Sequence, residues 1–182
     1  NAINKHLVED AVIVDIGANV GSHSLYWAIE RNASKIYAFE PLQGMFEILA
    51  KNVEINNLQD KIIPHNFGLL DTETDAEIIY YDPNNIGATT FRPTEKGQFK
   101  LKTLDSLEIP EKIDLIKIDA KDAEVEILYG ALETIKRDKP VIVLESFNRK
   151  HQVDRVLATV GYTLAETIRD NEDYIYKFSE FI

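Results

Sequence analysis

Short apolar runs recur along the chain, separated by stretches in which apolar and polar residues mix with a helical spacing. The runs are nearly continuous and rich in β-branched residues, which is typical of strands buried on both faces of a parallel sheet. We predict strands over residues 12–14, 35–39, 61–64, 113–118 and 141–144.

The stretches between these runs predict helices. The first helix is expected to begin at Ser22 or His23, and apolar residues repeat with helical spacing over residues 42–53, 128–135 and 153–160. Strands that alternate with helices form βαβ units. The pattern therefore predicts an α/β fold built on a doubly wound sheet.

The alternation is interrupted between residues 66 and 107, where the helical period disappears. Strand-like pieces cover residues 77–81 and 99–104, and the segment between them begins with the loop-forming run DPNNIG at residues 82–87. We predict that residues 66–107 form a small β-rich insertion near the mouth of the main sheet.

The C-terminal residues 161–178 are typical of two strands around the polar turn Arg169, Asp170 and Asn171, so the sheet is expected to end in a hairpin. The length of 182 residues suits one domain with a substantial core. We expect a single domain over residues 1–182. The chain begins with Asn rather than Met, which leaves open that an upstream segment was removed.

Composition excludes several kinds of chemistry. The chain contains no cysteine, so disulfides, thiolate metal sites and cysteine nucleophiles are ruled out. No apolar run approaches the roughly 20 residues of a membrane helix and no secretory segment opens the chain, so we expect a cytoplasmic protein without a membrane span. The net charge of −11 argues against a nucleic-acid partner, because binding to the phosphate backbone depends on basic residues.

The strongest local signal follows the first predicted strand. A turn of small residues from Gly17 to Gly21 joins this strand to the first helix, and ligands of open α/β sheets bind at such turns. The two glycines let a cofactor approach the backbone, and Asp15 places a carboxylate beside the turn. The spacing is G-x-x-x-G, not the G-x-G-x-x-G of pyrophosphate binding. It favours a smaller, cationic nucleoside cofactor over a dinucleotide.

A second signal is Glu40, which ends the second predicted strand roughly 20 residues after the glycine turn. Carboxylate oxygens only accept hydrogen bonds, which suits the two hydroxyls of a ribose. An acid at the end of a strand is often merely solvated. The position of Glu40 relative to Gly17 and Gly21 favours a role in cofactor binding.

Three blocks of the sequence form a combined pattern: DIGANVGSHSL at residues 15–25, AFEP at residues 38–41, and KID at residues 117–119 with AE at residues 123–124. This combination resembles the FkbM family of S-adenosylmethionine-dependent methyltransferases, and the similarity covers about residues 12–145. The resemblance implies a Rossmann-like sheet of seven strands, mostly parallel, with an antiparallel C-terminal strand. It also implies S-adenosyl-L-methionine as cofactor and O-methylation of a hydroxyl on a sugar, lipid-linked or other small natural-product acceptor.

The resemblance also assigns residues to the site. Asn85 and Gly87 match a short N-x-G element of the family and are expected near the acceptor, while Asn66 and Gly68 are expected at the adenine pocket. The residues expected to bind the cofactor are Asp15, Gly17, Ala18, Asn19, Gly21, Glu40, Asn66 and Gly68.

One segment departs from the family pattern. Residues 120–124 read AKDAE where the family usually has VEGAE, so Lys121 reverses a charge and Asp122 replaces a glycine. Aspartate can adopt the left-handed backbone at modest cost, so we expect the fold to survive. Two alternatives follow. Either the acceptor differs and Lys121 contacts an anionic group on it, or the chain is a cofactor-binding or partner-binding module that has lost catalysis.

Methyl transfer to a hydroxyl needs a base within hydrogen-bond reach of its proton. Lys117 and Asp119 point to the same side of the fourth strand, with Asp119 nearer its carboxyl end. We take Asp119 as the first candidate for the base or acceptor-orienting group and Glu145 as the second, and Lys117 completes the catalytic set. In the alternative interpretation, Asp119 caps the next helix and Glu145 is solvated.

Two other chemistries stay open. Asp119, Asp122, Glu124 and Glu145 could gather a divalent cation through their oxygens, but nothing in their spacing requires one, and we expect no metal. A nicotinamide-dependent oxidoreductase would use a similar sheet. The glycine spacing disfavours it.

Overall fold

A computed structural model describes residues 3–146, 148–168 and 173–180. Within them, strands and helices alternate except in the middle of the chain. The strands are β1 (Val12–Ile16), β2 (Lys35–Phe39), β3 (Ile62–His65), β4 (Gly68–Leu69), β5 (Thr74–Tyr80), β6 (Thr90–Thr94), β7 (Phe99–Lys102), β8 (Leu115–Ile118), β9 (Val141–Glu145), β10 (Tyr162–Ile168) and β11 (Asp173–Phe178). The α-helices are α1 (Ser22–Glu30), α2 (Gln43–Ile55), α3 (Glu124–Tyr129), α4 (Leu132–Asp138) and α5 (Lys150–Ala158), and short 3-10 helices cover Ile3–His6, Ile86–Ala88 and Asp105–Leu107.

The main sheet has seven strands in the order β3-β2-β1-β8-β9-β11-β10. Strand β11 is antiparallel to both of its neighbours, and the remaining pairs are parallel. The expected mostly parallel, Rossmann-like sheet with an antiparallel C-terminal strand is therefore confirmed. The paired strands of the predicted hairpin are present, while its predicted turn, Arg169, Asp170 and Asn171, lies outside the described residues.

The core lies on both faces of this sheet. Along β1, Val14 and Ile16 pack on one face with residues of α3, α4 and α5, whereas Ile13 packs on the other with residues of α1 and α2. Successive side chains of a strand point to opposite faces, so a strand covered on both sides must be apolar at nearly every position. The continuous apolar runs of the sequence have this cause.

The interruption of the pattern corresponds to a second sheet of four strands, in the order β4-β7-β5-β6. The predicted strand pieces match β5 and β7, and the sequence pattern misses β4 and β6. Strand β6 contains Pro93, whose ring nitrogen has no hydrogen to donate. Proline is tolerated here because β6 pairs only with β5 and forms an edge of the sheet.

The helix expected over residues 128–135 is two helices, α3 and α4, separated at Gly130. A side chain at Gly130 would bring its Cβ within 1.9 Å of the Leu70 carbonyl oxygen, so the chain passes close to the insertion at this point. The Asp105 carboxylate then accepts hydrogen bonds from the backbone N–H groups of Glu133 (3.0 Å) and Thr134 (2.8 Å) and caps α4.

The helices of the fold are short. In the part of the chain that the structure describes, none is both long enough and apolar enough to cross a membrane.

Candidate active site

The carboxyl ends of β1, β2 and β8 open into a cleft of about 910 Å³, part of which is open to solvent. The second sheet forms another wall of this cleft, as expected for an insertion at the mouth of the main sheet. The cleft is lined by the following residues of the predicted site: Gly17, Asn19, Glu40, Gly68, Gly87, Asp119 and Lys121.

The turn after β1 is held between the ends of its two neighbouring strands. The N–H groups of Gly17 and Ala18 both donate to the Phe39 carbonyl, at 3.1 and 3.0 Å. Gly17 has a φ of 72°, and a Cβ at this position would lie 2.0 Å from the Asp119 carbonyl oxygen. Only glycine satisfies both the left-handed backbone and the close approach.

Glu40 is buried at the wall of the cleft, where both of its carboxylate oxygens accept backbone hydrogen bonds. Asn19 N–H donates to one oxygen at 2.9 Å and Leu42 N–H donates to the other at 2.8 Å. Burial raises the pKa of Glu40, opposed by these two hydrogen bonds and by the charge of Lys117. The bonds fix the carboxylate, and each oxygen retains capacity to accept another hydrogen bond.

Lys117 lies beneath the turn, with its ammonium group buried. Its Nζ donates to the carbonyl oxygens of Gly17 (3.0 Å) and Ile16 (3.4 Å), and it lies 3.1 Å from Asp15 Oδ1 and 3.6 Å from Asp119 Oδ2. Burial lowers the pKa of Lys117, but the two carboxylates outweigh this effect and raise it overall. Lys117 is therefore held as a cation that links the turn to the two carboxylates.

Asp15 is fully buried and does not line the cleft. Ser24 Oγ donates to its Oδ2 at 2.6 Å, and Lys117 faces its Oδ1. These contacts of the Asp15 carboxylate are all with groups inside the protein. They support the turn from below.

Asp119 and Glu145 form a hydrogen-bonded pair at the ends of β8 and β9. Asp119 borders the large cleft and also a smaller cavity, which Glu145 and Lys117 line as well. Lys121 Nζ lies 3.1 Å from Glu145 Oε2. Lys121 therefore sits at the cleft as the ion-pair partner of Glu145.

The two acids of this pair differ in their affinity for a proton. Burial raises the pKa of Asp119, but Lys117 and the hydrogen bond with Glu145 outweigh it, so the net shift is downward. Burial and the hydrogen bond with Asp119 raise the pKa of Glu145. When the pair holds one proton, it resides on Glu145, and Asp119 stays ionised.

The remaining predicted residues support the cleft or border it. Asn66 does not line it; its side-chain N–H donates to the carbonyls of Glu40 (3.0 Å) and Pro41 (3.3 Å). Gly68 does line it, packed so closely on Leu101 that a Cβ would lie 2.7 Å from Leu101 Cδ2. Ala18, Gly21 and Asn85 are near the turn or the insertion loop but do not line the cleft.

Sequence reasoning missed the apolar wall that the second sheet contributes. Every second residue here lines the cleft: Thr89, just before β6, and Phe91 and Pro93 within it. This alternation is the only sequence signal for the wall, and the proline obscures it. Other apolar lining residues that were not predicted include Met45, Leu69, Leu70, Ile86 and Leu101.

The segment that departs from the family pattern has a left-handed backbone at Asp122. Asp122 has a φ of 60°, as expected for an aspartate in place of glycine, and its carbonyl accepts a hydrogen bond from Arg149 Nη1 at 2.6 Å.

Among residues 3–146, 148–168 and 173–180, no three or more His, Asp or Glu side chains converge to hold a metal ion.

Comparison with models of protein families assigns the chain to a family. The model of the FkbM methyltransferase domain matches residues 15–176. The chain belongs to the FkbM methyltransferase family. Membership in a family of methyltransferases argues against the nicotinamide-dependent oxidoreductase.

Individual relatives of this FkbM domain are distant. Hexuronic acid methyltransferase AglP of Haloferax volcanii is 29% identical over 141 residues, which is 74% of this chain and 56% of AglP. The chain thus spans about half the length of this relative.

Solved structures support the fold. The FkbM methyltransferase of Methylobacillus flagellatus KT superposes with a TM-score of 0.66 at 16% identity, over 93% of this chain and 44% of that one. A second structure is Sp1610 of Streptococcus pneumoniae, assigned as a tRNA (m1A22) methyltransferase and solved with S-adenosyl-L-methionine. It superposes with a TM-score of 0.64 at 15% identity, over 97% of this chain and 68% of that one.

Proposed function

We propose that this FkbM domain is an S-adenosyl-L-methionine-dependent O-methyltransferase acting on a hydroxyl of a sugar, lipid-linked or natural-product acceptor. The observation that carries the proposal is the fixed Glu40 carboxylate in the cleft beside the Gly17 turn. Two backbone N–H groups hold its oxygens in place. Their remaining lone pairs suit a ribose diol, since both hydroxyls donate to acceptor-only atoms.

The rest of the cleft also fits this cofactor. The absence of a side chain at Gly17 lets a ligand approach the turn. Pro41, Leu42 and Met45 supply apolar surface next to Glu40, which suits an adenine ring. We assign Gly17, Asn19, Glu40 and Gly68 to direct cofactor contact. Asp15, Ala18, Gly21 and Asn66 shape the turn and the loops around it.

S-adenosyl-L-methionine supplies a methyl group on a cationic sulfur, and transfer to a hydroxyl oxygen leaves a neutral thioether and releases one proton. The ionised Asp119 is suited to accept a hydrogen bond from the acceptor hydroxyl. Glu145, whose pKa is higher, is the better proton acceptor, because a base is most effective when its pKa approaches the working pH. Lys117 contacts both the Gly17 carbonyl and Asp119 and holds them in position.

The charge of the chain and the name of one relative support the proposed class of acceptor. AglP, by its name, acts on a hexuronic acid, which favours a sugar. Lys121 is paired with Glu145, so it does not by itself select an anionic acceptor. A net charge of −11 still disfavours nucleic acid. The ionised Asp119 at the cleft favours an active enzyme over a module that has lost catalysis.

Titration calorimetry with S-adenosylhomocysteine, the demethylated product, tests the cofactor assignment. The wild-type chain is expected to bind it, and Glu40→Gln is expected to bind at least roughly tenfold more weakly, because the amide NH₂ replaces one accepting oxygen. Glu47→Gln on the exposed face of α2 is the matched control and should bind like the wild type. No measurable binding by the wild type would overturn the proposal.

Transfer of a labelled methyl group to a panel of neutral sugars, uronic acids and lipid-linked glycans then tests the acceptor class. Labelling of a hydroxyl supports O-methylation. Cofactor binding without transfer to any member would favour the module that has lost catalysis.

A further inference from the structure

Asp119 is the most exposed anionic side chain that lines the cleft. Within the described residues, the charged side chains that line the cleft are Glu40, Asp119 and Lys121. Both oxygens of Glu40 face backbone N–H groups, and Lys121 faces Glu145. The side chain of Asp119 is 37% exposed, far more than that of Lys117 behind it, at 7%.

Asp119 belongs to a row of alternating charges. Asp15 lies 3.1 Å from the Lys117 ammonium, which lies 3.6 Å from Asp119. The inner pair is buried, with Asp15 fully enclosed and Lys117 also bonded to two carbonyls of the turn. The row as a whole carries one net negative charge, and only its outer member lines the cleft. Asp119 also shares a hydrogen bond with Glu145 and interacts electrostatically with Lys121 and His23.

This geometry gives the cleft a preference for a cation. A positive ligand near Asp119 gains Coulomb energy in a partly desolvated site, where such interactions are several times stronger than in water. A neutral ligand of the same shape gains none. The methyl donor and its product differ in this respect, since the donor carries a sulfonium charge and the product does not.

We propose that Asp119, backed by the Asp15–Lys117 ion pair, is the residue that discriminates the charged methyl donor from its neutral product. The inference rests on the proposed function. It gives Asp119 a role in cofactor exchange in addition to the contact with the acceptor. The spent cofactor loses this attraction once its charge is gone, so the same carboxylate favours replacement of product by fresh donor.

The test measures three dissociation constants at pH 8, for S-adenosylmethionine, S-adenosylhomocysteine and sinefungin, an analogue with an ammonium in place of the methylsulfonium. In Asp119→Asn, binding of the two cationic ligands is expected to weaken about tenfold relative to the neutral one. Because sinefungin carries a positive charge but no methylsulfonium, it separates the effect of charge from the effect of contact with the methyl group. If sinefungin keeps its wild-type affinity while S-adenosylmethionine weakens, the inference is overturned.

Asp122→Asn is the matched control. It removes the same charge from the same loop, lies outside the cleft, and asparagine tolerates the left-handed backbone at this position. Its three dissociation constants are expected to stay within about twofold of the wild type. An equal shift in both variants would show a general charge effect and overturn the inference.

Two more variants keep the test decisive. Asp119→Ser serves as a second neutral variant if the asparagine variant does not fold, and Asp119→Glu should retain the cation preference. Unchanged ratios in a folded neutral variant that still binds S-adenosylhomocysteine would overturn this inference alone. Failure of the wild type to bind S-adenosylhomocysteine would instead overturn the proposed function.

Discussion

At the scale of single residues, the site depends on positions where the backbone leaves no room for a side chain. Gly17 combines a φ of 72° with a Cβ position 2.0 Å from the Asp119 carbonyl oxygen, so the turn after β1 rests directly against the end of β8. The contact is backbone to backbone, and no rotamer change can relieve it. The spacing of the glycine turn therefore has a packing reason as well as a cofactor reason.

Gly17→Ala is expected to lower the free energy of unfolding by about 3 kcal/mol or more, since left-handed strain and overpacking each cost roughly 1–3 kcal/mol. It should also abolish binding of S-adenosylhomocysteine. Urea denaturation and calorimetry measure the two effects.

Gly44→Ala provides the control, because Gly44 lies in α2 and a Cβ there meets no atom within 4 Å. We expect it to stabilise the protein by up to about 1 kcal/mol, as alanine favours helix. A Gly17→Ala protein of wild-type stability would contradict the packing argument.

Much of the residue-level site follows from local signals, and part of it does not. Gly17 and Glu40 stand next to their strands in sequence, so the turn and the strand end identify them. The role of Lys117 depends on Asp15 and on the Gly17 carbonyl, about 100 residues earlier in the chain. No local pattern of the sequence shows that its ammonium is buried and paired.

At the scale of elements, a side chain from the insertion sets where a helix begins. Gly130 separates α3 from α4, and Asp105 accepts hydrogen bonds from two N–H groups in the first turn of α4. The apolar spacing continues across the break, so it predicts one helix. The cap is remote in sequence, and the close approach of Leu70 to Gly130 is equally remote.

Asp105→Ala is expected to reduce the free energy of unfolding by about 1–2 kcal/mol, the usual cost of losing a helix cap. Asp105→Asn keeps one accepting oxygen and should lose less. Chemical denaturation of the two variants and the wild type measures the difference. If the alanine variant lay within about 0.5 kcal/mol of the wild type, Asp105 would not be the cap that stabilises α4.

At the scale of the whole molecule, the order of the strands in the sheet does not follow from periodicity, which predicts strands but not which strands are neighbours. The hydrophobic runs predict five parallel strands buried on both faces, residues 161–178 predict the C-terminal hairpin, and the FkbM resemblance implies that the last strand is antiparallel. The insertion is predicted to be β-rich, but the order of its sheet pairs β4 with β7, which are far apart in the chain. Such pairing depends on long-range contacts that leave no periodic signal.

The stability of the whole domain is expected to depend on pH through Glu124. This side chain is 4% exposed, and burial raises its pKa to about 7 from the ordinary 4.5. The folded state then binds the proton more tightly than the unfolded state. The protonated Glu124 therefore adds roughly 3 kcal/mol to the free energy of unfolding. This stabilisation is complete below pH 4.5 and is lost as the pH rises to about 7.

Glu124→Gln removes this dependence, because the amide is neutral at every pH. The stability of the variant relative to the wild type should therefore rise between about pH 4.5 and pH 8, measured by urea denaturation at several pH values. Glu40 and Glu145 also have raised pKa values and titrate in both proteins, so the difference between the two curves isolates Glu124.

Glu126→Gln, on the same helix, is the control of opposite sign. The hydrogen bond from Arg149 lowers the pKa of Glu126, so its contribution is present above the unfolded pKa and is lost only in acid. The difference in free energy of unfolding between this variant and the wild type should be constant between about pH 5.5 and pH 8. A Glu124→Gln difference that is equally constant over this range would show that Glu124 is ionised in the folded protein throughout, and that its burial does not control the pH dependence.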